Sequence, residues 1–233
     1  MMVDFDFHGS TASHKGIFVE KFVSIPTGKE RYTEYAVPGR DGSLLCKEGT
    51  YEDIVIAVQL MYLEKPHNIR EKYRETKEWL MRGGGGCLKF SDQTDFHYVV
   101  KRVEIESNEI EASILGRFTV SFICKPHQYL DNGDIPIDFQ NLLYNPYDEA
   151  HPLYAIQGEG ECTLTVNGET VKANIGQNLT IDTELMIAYR MDGRMMNTSI
   201  SGEYTSLYLR HGNNNLSVTR GFAVRITPRW RSL

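Results

Sequence analysis

Apolar residues recur along this chain mostly at a spacing of two. The strongest signal lies over residues 54–63, where Ile54, Ile56, Val58, Leu60 and Tyr62 alternate with Val55, Ala57, Met61 and Leu63, so that an extended segment there has two apolar faces. Such a strand is either sandwiched within its own fold or covered on one face by another subunit. Shorter strands are expected over residues 16–25, 32–37, 87–90, 97–106 and 114–124, the last alternating Phe118, Val120 and Phe122 with Thr119 and Ser121. One stretch has helical period. Ile69, Tyr73, Thr76 and Leu80 form a stripe with charged residues on the remaining surface, which predicts a helix over 66–82, opened by Pro66 and stopped by the glycines at 83–86. With one helix available, parallel crossovers cannot dominate, and the sheets are expected to be antiparallel.

Residues 125–152 change texture, with several prolines and the run Asp131, Asn132, Gly133, Asp134. A boundary is expected there, giving domains over 1–130 and 131–233. The second half reads as short strands over 153–157, 161–166, 169–173, 178–182, 184–191, 206–209, 215–219 and 222–227, with Asn167 and Gly168 suited to a tight hairpin turn. The expected fold class is mainly β: an N-terminal β-sandwich with one helix and a jelly-roll or lectin-type β-sandwich after it.

Composition narrows the function classes. At 233 residues with 41% hydrophobic and 24% charged, the chain can bury a core without metal or disulfide support. Its net charge is -6, with 25 basic against 31 acidic side chains, so tight nucleic-acid binding is not expected. No apolar run reaches membrane-spanning length and the first residues lack the order of a secretory signal, so a soluble protein without membrane insertion is expected. Cys46, Cys87, Cys124 and Cys162 form no metal-ligand pair, and each lies in or beside an apolar stretch, which predicts buried free thiols. The seven histidines are scattered and are expected in loops or facing solvent. Glu159 and Glu161 share one face of an extended segment, but a glycosidase needs two carboxylates opposed across a cleft. The glycine run follows a helix, whereas phosphate-cradling loops precede one. No enzyme, cofactor or metal is therefore expected. Aromatic residues keep a glycan-binding sandwich open as the alternative, with Tyr189, Tyr204 and Trp230 as the candidate stacking platforms.

The segment Val37, Pro38, Gly39, Arg40, Asp41, Gly42, Ser43, Leu44 combines tight-turn chemistry with an adjacent Arg and Asp, a donor and an acceptor suited to docking a neighbouring protein surface. This loop, the strand bearing Asp53 and Ile54, the helix ending in Trp79 and Leu80, and the alternation of Gly116, Phe118, Val120 and Phe122 together resemble the distal tail protein family, Dit, of long-tailed siphophages. His151-Pro152, Gly158 and Gly160, the hairpin at Gly168, Ile181-Asp182 and Gly212-Asn213 extend the likeness over nearly the whole chain.

The resemblance implies a virion structural protein located at the tail tip. Its N-terminal domain would form a hexameric ring continuing the tail tube, and a galectin-like C-terminal domain would hold receptor-binding or baseplate proteins. The implied partners are further copies of the chain, the tail tube protein and a tail-associated tip protein, with DNA passing through the lumen without specific binding. Arg40, Asp41, Ile54, Ile56 and Val58 are the candidate subunit contacts.

Overall fold

The computed structural model describes residues 3–233, which divide into two compact units, one of residues 3–128 with Leu233 and one of residues 129–232. The fold is mainly β. In the first unit the elements are β1 (Phe5–Phe7), β2 (Ser10–Thr11), β3 (Phe18–Val19), β4 (Glu30–Ala36), β5 (Ser43–Tyr51), β6 (Ile54–Leu63), α1 (Ile69–Met81), β7 (Gly86–Phe90), β8 (Phe96–Ile105), β9 (Glu109–Glu111) and β10 (Leu115–Leu130), whose last two residues belong to the second unit.

The main sheet of this unit runs in the order β2-β1-β7-β8-β10-β6-β3, with β9 added to β10. Its centre is the antiparallel pair β6–β10, in register from Leu63 opposite Leu115 to Ile54 opposite Cys124. The inward residues of both strands, Ile56, Val58, Leu60 and Tyr62 with Val120 and Phe122, are fully buried. Helix α1 lies on this core. Ile69, Thr76 and Leu80 are its buried positions, and burying side chains such as Ile69 and Leu80 contributes about 2 kcal/mol each. Trp79 fixes the helix by stacking on Phe5, ring centres 5.9 Å apart, while its indole N–H donates to the Phe7 carbonyl at 3.1 Å. Gly83 and Gly84 end the helix in the left-handed conformation, which other residues adopt at a cost. Gly85 serves packing instead: a Cβ there would collide with the Val100 carbonyl.

The second unit contains β11 (Ile137–Asp138), β12 (Leu142–Asn145), β13 (Leu153–Val166), β14 (Glu169–Asp182), β15 (Ile187–Tyr189), β16 (Ile200–Ser201), β17 (Gly212–Val218), β18 (Ala223–Thr227) and β19 (Arg231–Ser232). Strands β13 and β14 form one hairpin paired over its whole length, turned by Asn167 and Gly168 at φ 53° and 89°. One edge of β13 pairs first with β18, at residues 153–157, and later with β17, at residues 164–166. The change of partner falls around Gly158 and Gly160, and the Phe222 ring occupies the space where a Gly158 Cβ would stand. A buried ion pair closes this unit: Arg229 donates from Nη1 and Nη2 to the two oxygens of Asp182 at 2.8 and 2.9 Å, and the amides of Glu184 and Leu185 donate to the same carboxylate.

Several local expectations give way. The helix starts at Ile69 rather than Pro66, because residues 65–68 form a turn in which the Asn68 amide bonds the Lys65 carbonyl. Within the expected strand 16–25 only Phe18–Val19 pairs. The strands expected at 153–157 and 161–166 are one strand, as are those at 169–173 and 178–182. Residues 204–207 form a 3-10 turn, so no strand forms over 206–209. Cys124 and Cys162 are buried free thiols, whereas Cys46 and Cys87 are exposed. His97 and His127 are buried rather than solvent-facing. Among the described residues, no helix is long and apolar enough to cross a membrane.

Candidate assembly surface

The two faces of β6 have opposite fates. Ile54, Ile56 and Val58 point into the core of their own unit, at 5, 0 and 0% exposure, and so cannot be subunit contacts. This corrects their assignment: each is sealed by the strand's inward neighbours on β10 and by the aromatic core beneath. The other face is open, with Val55 50% and Leu63 64% exposed. Around Leu63 the register gathers a small apolar patch, since Leu115 lies opposite Leu63 and the exposed Phe18 lies opposite Met61.

Strands β4 and β5 form a separate two-stranded sheet. Their register sets Tyr35 opposite Leu44 and Thr33 opposite Cys46 on one face, and Glu34 opposite Leu45 and Tyr32 opposite Lys47 on the other. The second face is tied together by polar contacts: Lys47 donates to Glu30 at 2.9 Å and Tyr32 donates to the same carboxylate at 2.7 Å. These bonds hold the Glu30 carboxyl below its ordinary pKa, the Lys47 hydrogen bond being the largest cause. On the first face Tyr35 and Leu44 stand 54% and 44% exposed beside a Thr33 hydroxyl that donates to Glu48, and on the second Leu45 is 51% exposed. A two-stranded hairpin is marginally stable alone in water, so an exposed apolar pair on one is a demand for cover.

At the hairpin tip Gly39 and Gly42 adopt φ 79° and 78°, and the Arg40 amide bonds the Val37 carbonyl, so the turn chemistry read from the sequence is present. Arg40 and Asp41 are exposed there, away from the buried β6 residues with which they were grouped. The sequence singles out the loop as far as Leu44, but the second strand of the hairpin, Ser43–Tyr51, is not among the expected strands. The signal was available: Thr33, Tyr35 and Leu44, Cys46 flank a Pro-Gly-Arg-Asp-Gly turn at matching offsets.

The glycan candidates do not assemble into an open platform. Tyr189, Tyr204 and Trp230 are all partly buried, and Tyr204 and Trp230 pack against the apolar core of the second unit. The Tyr204 hydroxyl is 3.4 Å from Asn197 Oδ1, to which it donates. Glu159 and Glu161 are exposed on β13, and Glu161 lies 3.5 Å from Lys172. Among the described residues no three His, Cys, Asp or Glu side chains converge as a metal site would require.

No family model matches the chain, and no curated protein matches it. A solved structure does: the Dit protein (gp 19.1) of SPP1, described as a paradigm of the hub adsorption apparatus in phages that infect Gram-positive hosts. The superposition covers 100% of this chain and 99% of that one, with a TM-score of 0.77 and 13% identity. The chain has the Dit fold from end to end.

Proposed function

We propose that this protein is a structural component of a phage tail, a distal tail ring that joins the tail tube to the tail tip and carries receptor-binding or baseplate proteins. The observation that carries the reading is the full-length fold it shares with a hub protein of an adsorption apparatus. The work of such a protein lies in its interfaces, which accords with an uncovered hairpin face bearing Tyr35 and Leu44 and an open β6 face bearing Val55 and Leu63.

In this reading the first unit, with its projecting hairpin, forms a closed ring of six copies. Tyr35 and Leu44 of each copy bury against the next, and Arg40 with Asp41 fix the angle of docking through directional polar bonds. Because the hairpin and the surface it meets are different patches, the contact is head-to-tail, and rotation closes it into a ring. The second unit is galectin-like and points to the receptor-binding or baseplate proteins. The net charge of -6 keeps DNA from adhering as it passes through the lumen.

Antibody labelling of intact particles tests the role. An antiserum against the full chain should mark the tail tip of long-tailed virions; labelling confined to capsids, or absent from particles that contain the protein, would reject the reading.

A further inference from the structure

Helix α1 carries a second feature outside the assembly surface. Arg70 and Arg74, one turn apart, line an open cleft of about 610 Å³ with Tyr73, Asn108 and Ile110. Like charges at this spacing repel along a helix. Further along the same helix the opposite arrangement is found, Glu78 pairing with Arg82 at 2.9 Å. Glu78 is also the i+4 neighbour of Arg74, so the carboxylate best placed for Arg74 is engaged elsewhere, and neither cleft arginine forms an ion pair among the described residues.

Across the cleft, Asn108 is half committed. Its Nδ2 donates to the Tyr62 hydroxyl at 3.0 Å, and that hydroxyl donates to the Ile69 carbonyl at 3.4 Å. Asn108 Oδ1 is buried and has no donor. A buried acceptor left unmade costs about 1–3 kcal/mol, and this one is closed to solvent, so Asn108 shapes the cleft wall rather than offering a ligand its oxygen. Ile110, 40% exposed, supplies an apolar wall.

We propose that this cleft binds an acidic peptide segment of a partner protein. Side-chain carboxylates of the segment take the guanidinium groups of Arg70 and Arg74, and an aliphatic side chain lies on Ile110 and the Tyr73 ring. A bare oxyanion would satisfy the arginines but leave the wall of Ile110 and Tyr73 uncovered; an acidic peptide brings carboxylate and aliphatic surface together. The volume is in the range of clefts that hold such ligands. This inference does not rest on the assembly reading, because the residues that line the cleft lie neither on the hairpin nor on the open face of β6.

The test is fluorescence anisotropy with the full chain and a labelled, end-blocked octapeptide of Glu, Leu and Gly, against the same peptide with Gln for Glu and against inorganic phosphate. The acidic peptide should bind with an affinity that falls as salt rises, and Arg70→Gln/Arg74→Gln should weaken it about tenfold or more, with circular dichroism unchanged. Ile110→Ser, which removes the exposed apolar wall, should weaken it further. Equal binding of the Gln peptide, undiminished binding by the double variant, or no binding at millimolar concentration would overturn the proposal. Displacement by phosphate as effective as by unlabelled peptide would reduce the cleft to an anion site and overturn it as well.

Discussion

Replacing Tyr35 and Leu44 together by Ser removes the apolar pair from one face of the β4–β5 hairpin and leaves the Glu30, Tyr32 and Lys47 contacts of the other intact. Both side chains are already about half exposed, at 54% and 44%, so what docking can still bury is roughly the other half of what full burial would give. Full burial of a side chain of this kind is worth about 1.5–3 kcal/mol, so each contributes about 1 kcal/mol and the pair about 2 kcal/mol per contact. That corresponds to a dissociation constant roughly 30-fold weaker at each interface. A ring repeats the loss around its circumference, and the concentration at which assembly is half complete should rise by at least that factor. The isolated chain should change little. The two residues face each other across the strands and contribute about 0.2–1 kcal/mol to the hairpin itself. Sedimentation velocity of the full chain over a concentration series, with the tail tube protein present, measures the shift, and thermal unfolding of the same samples reports the fold. Assembly at wild-type concentrations by a variant whose unfolding is unchanged would refute the assignment of this face to subunit contact.

Three further outcomes follow from the same contacts. Arg40→Ala and Asp41→Ala should leave unfolding unchanged and reduce the yield of assembled tails; normal yield would make the tip a local turn only. Asp182→Asn should lower the unfolding midpoint by roughly 5 °C, since it weakens the charged hydrogen bonds of a buried carboxylate at a cost of about 1–3 kcal/mol, while the 20% exposed Arg229 keeps Glu184 at 3.5 Å. Burial acts to raise the Asp182 pKa, but the Arg229 hydrogen bonds and charge, with the amides of Leu185 and Glu184, hold it below the ordinary value. The pair's stabilisation is therefore complete above about pH 4 and lost as pH falls through the lowered pKa, so wild type and Asp182→Asn should converge in acid-unfolding scans below that point. Gly116→Ala drives a methyl group into the ring of the fully buried Tyr62, whose hydroxyl is held by Asn108, and should destabilise by about 1–3 kcal/mol in chemical denaturation.

What the sequence made legible was set by the range of the interactions responsible. Strand β6 and helix α1 were readable because each declares itself within about a dozen residues, through alternation in one and the Ile69, Tyr73, Thr76, Leu80 stripe in the other. Which face of β6 is buried was not readable. Ile56 and Val55 are equally apolar, and only the pairing with β10, about sixty residues later in the chain, decides between them. The hairpin strand Ser43–Tyr51 was obscured by its polar second half, where Lys47 and Glu48 are stabilised by cross-strand partners rather than by burial. Gly158 and Gly160 read as an interruption, yet they are the means by which β13 stays continuous while its edge changes partner. The cleft of Arg70, Arg74 and Asn108 left no local trace, since Asn108 comes more than thirty residues after the helix positions it faces.

The account stands on the claim that copies of this chain complete one another around an axis. The most direct measurement is the native mass of the full-length protein assembled with its tail tube partner. The account predicts a complex containing six copies of the 26.6 kDa chain, which dissociates into single copies when Tyr35 and Leu44 are replaced by Ser. A single copy bound to the partner, at every concentration up to that reached in assembled tails, would contradict it.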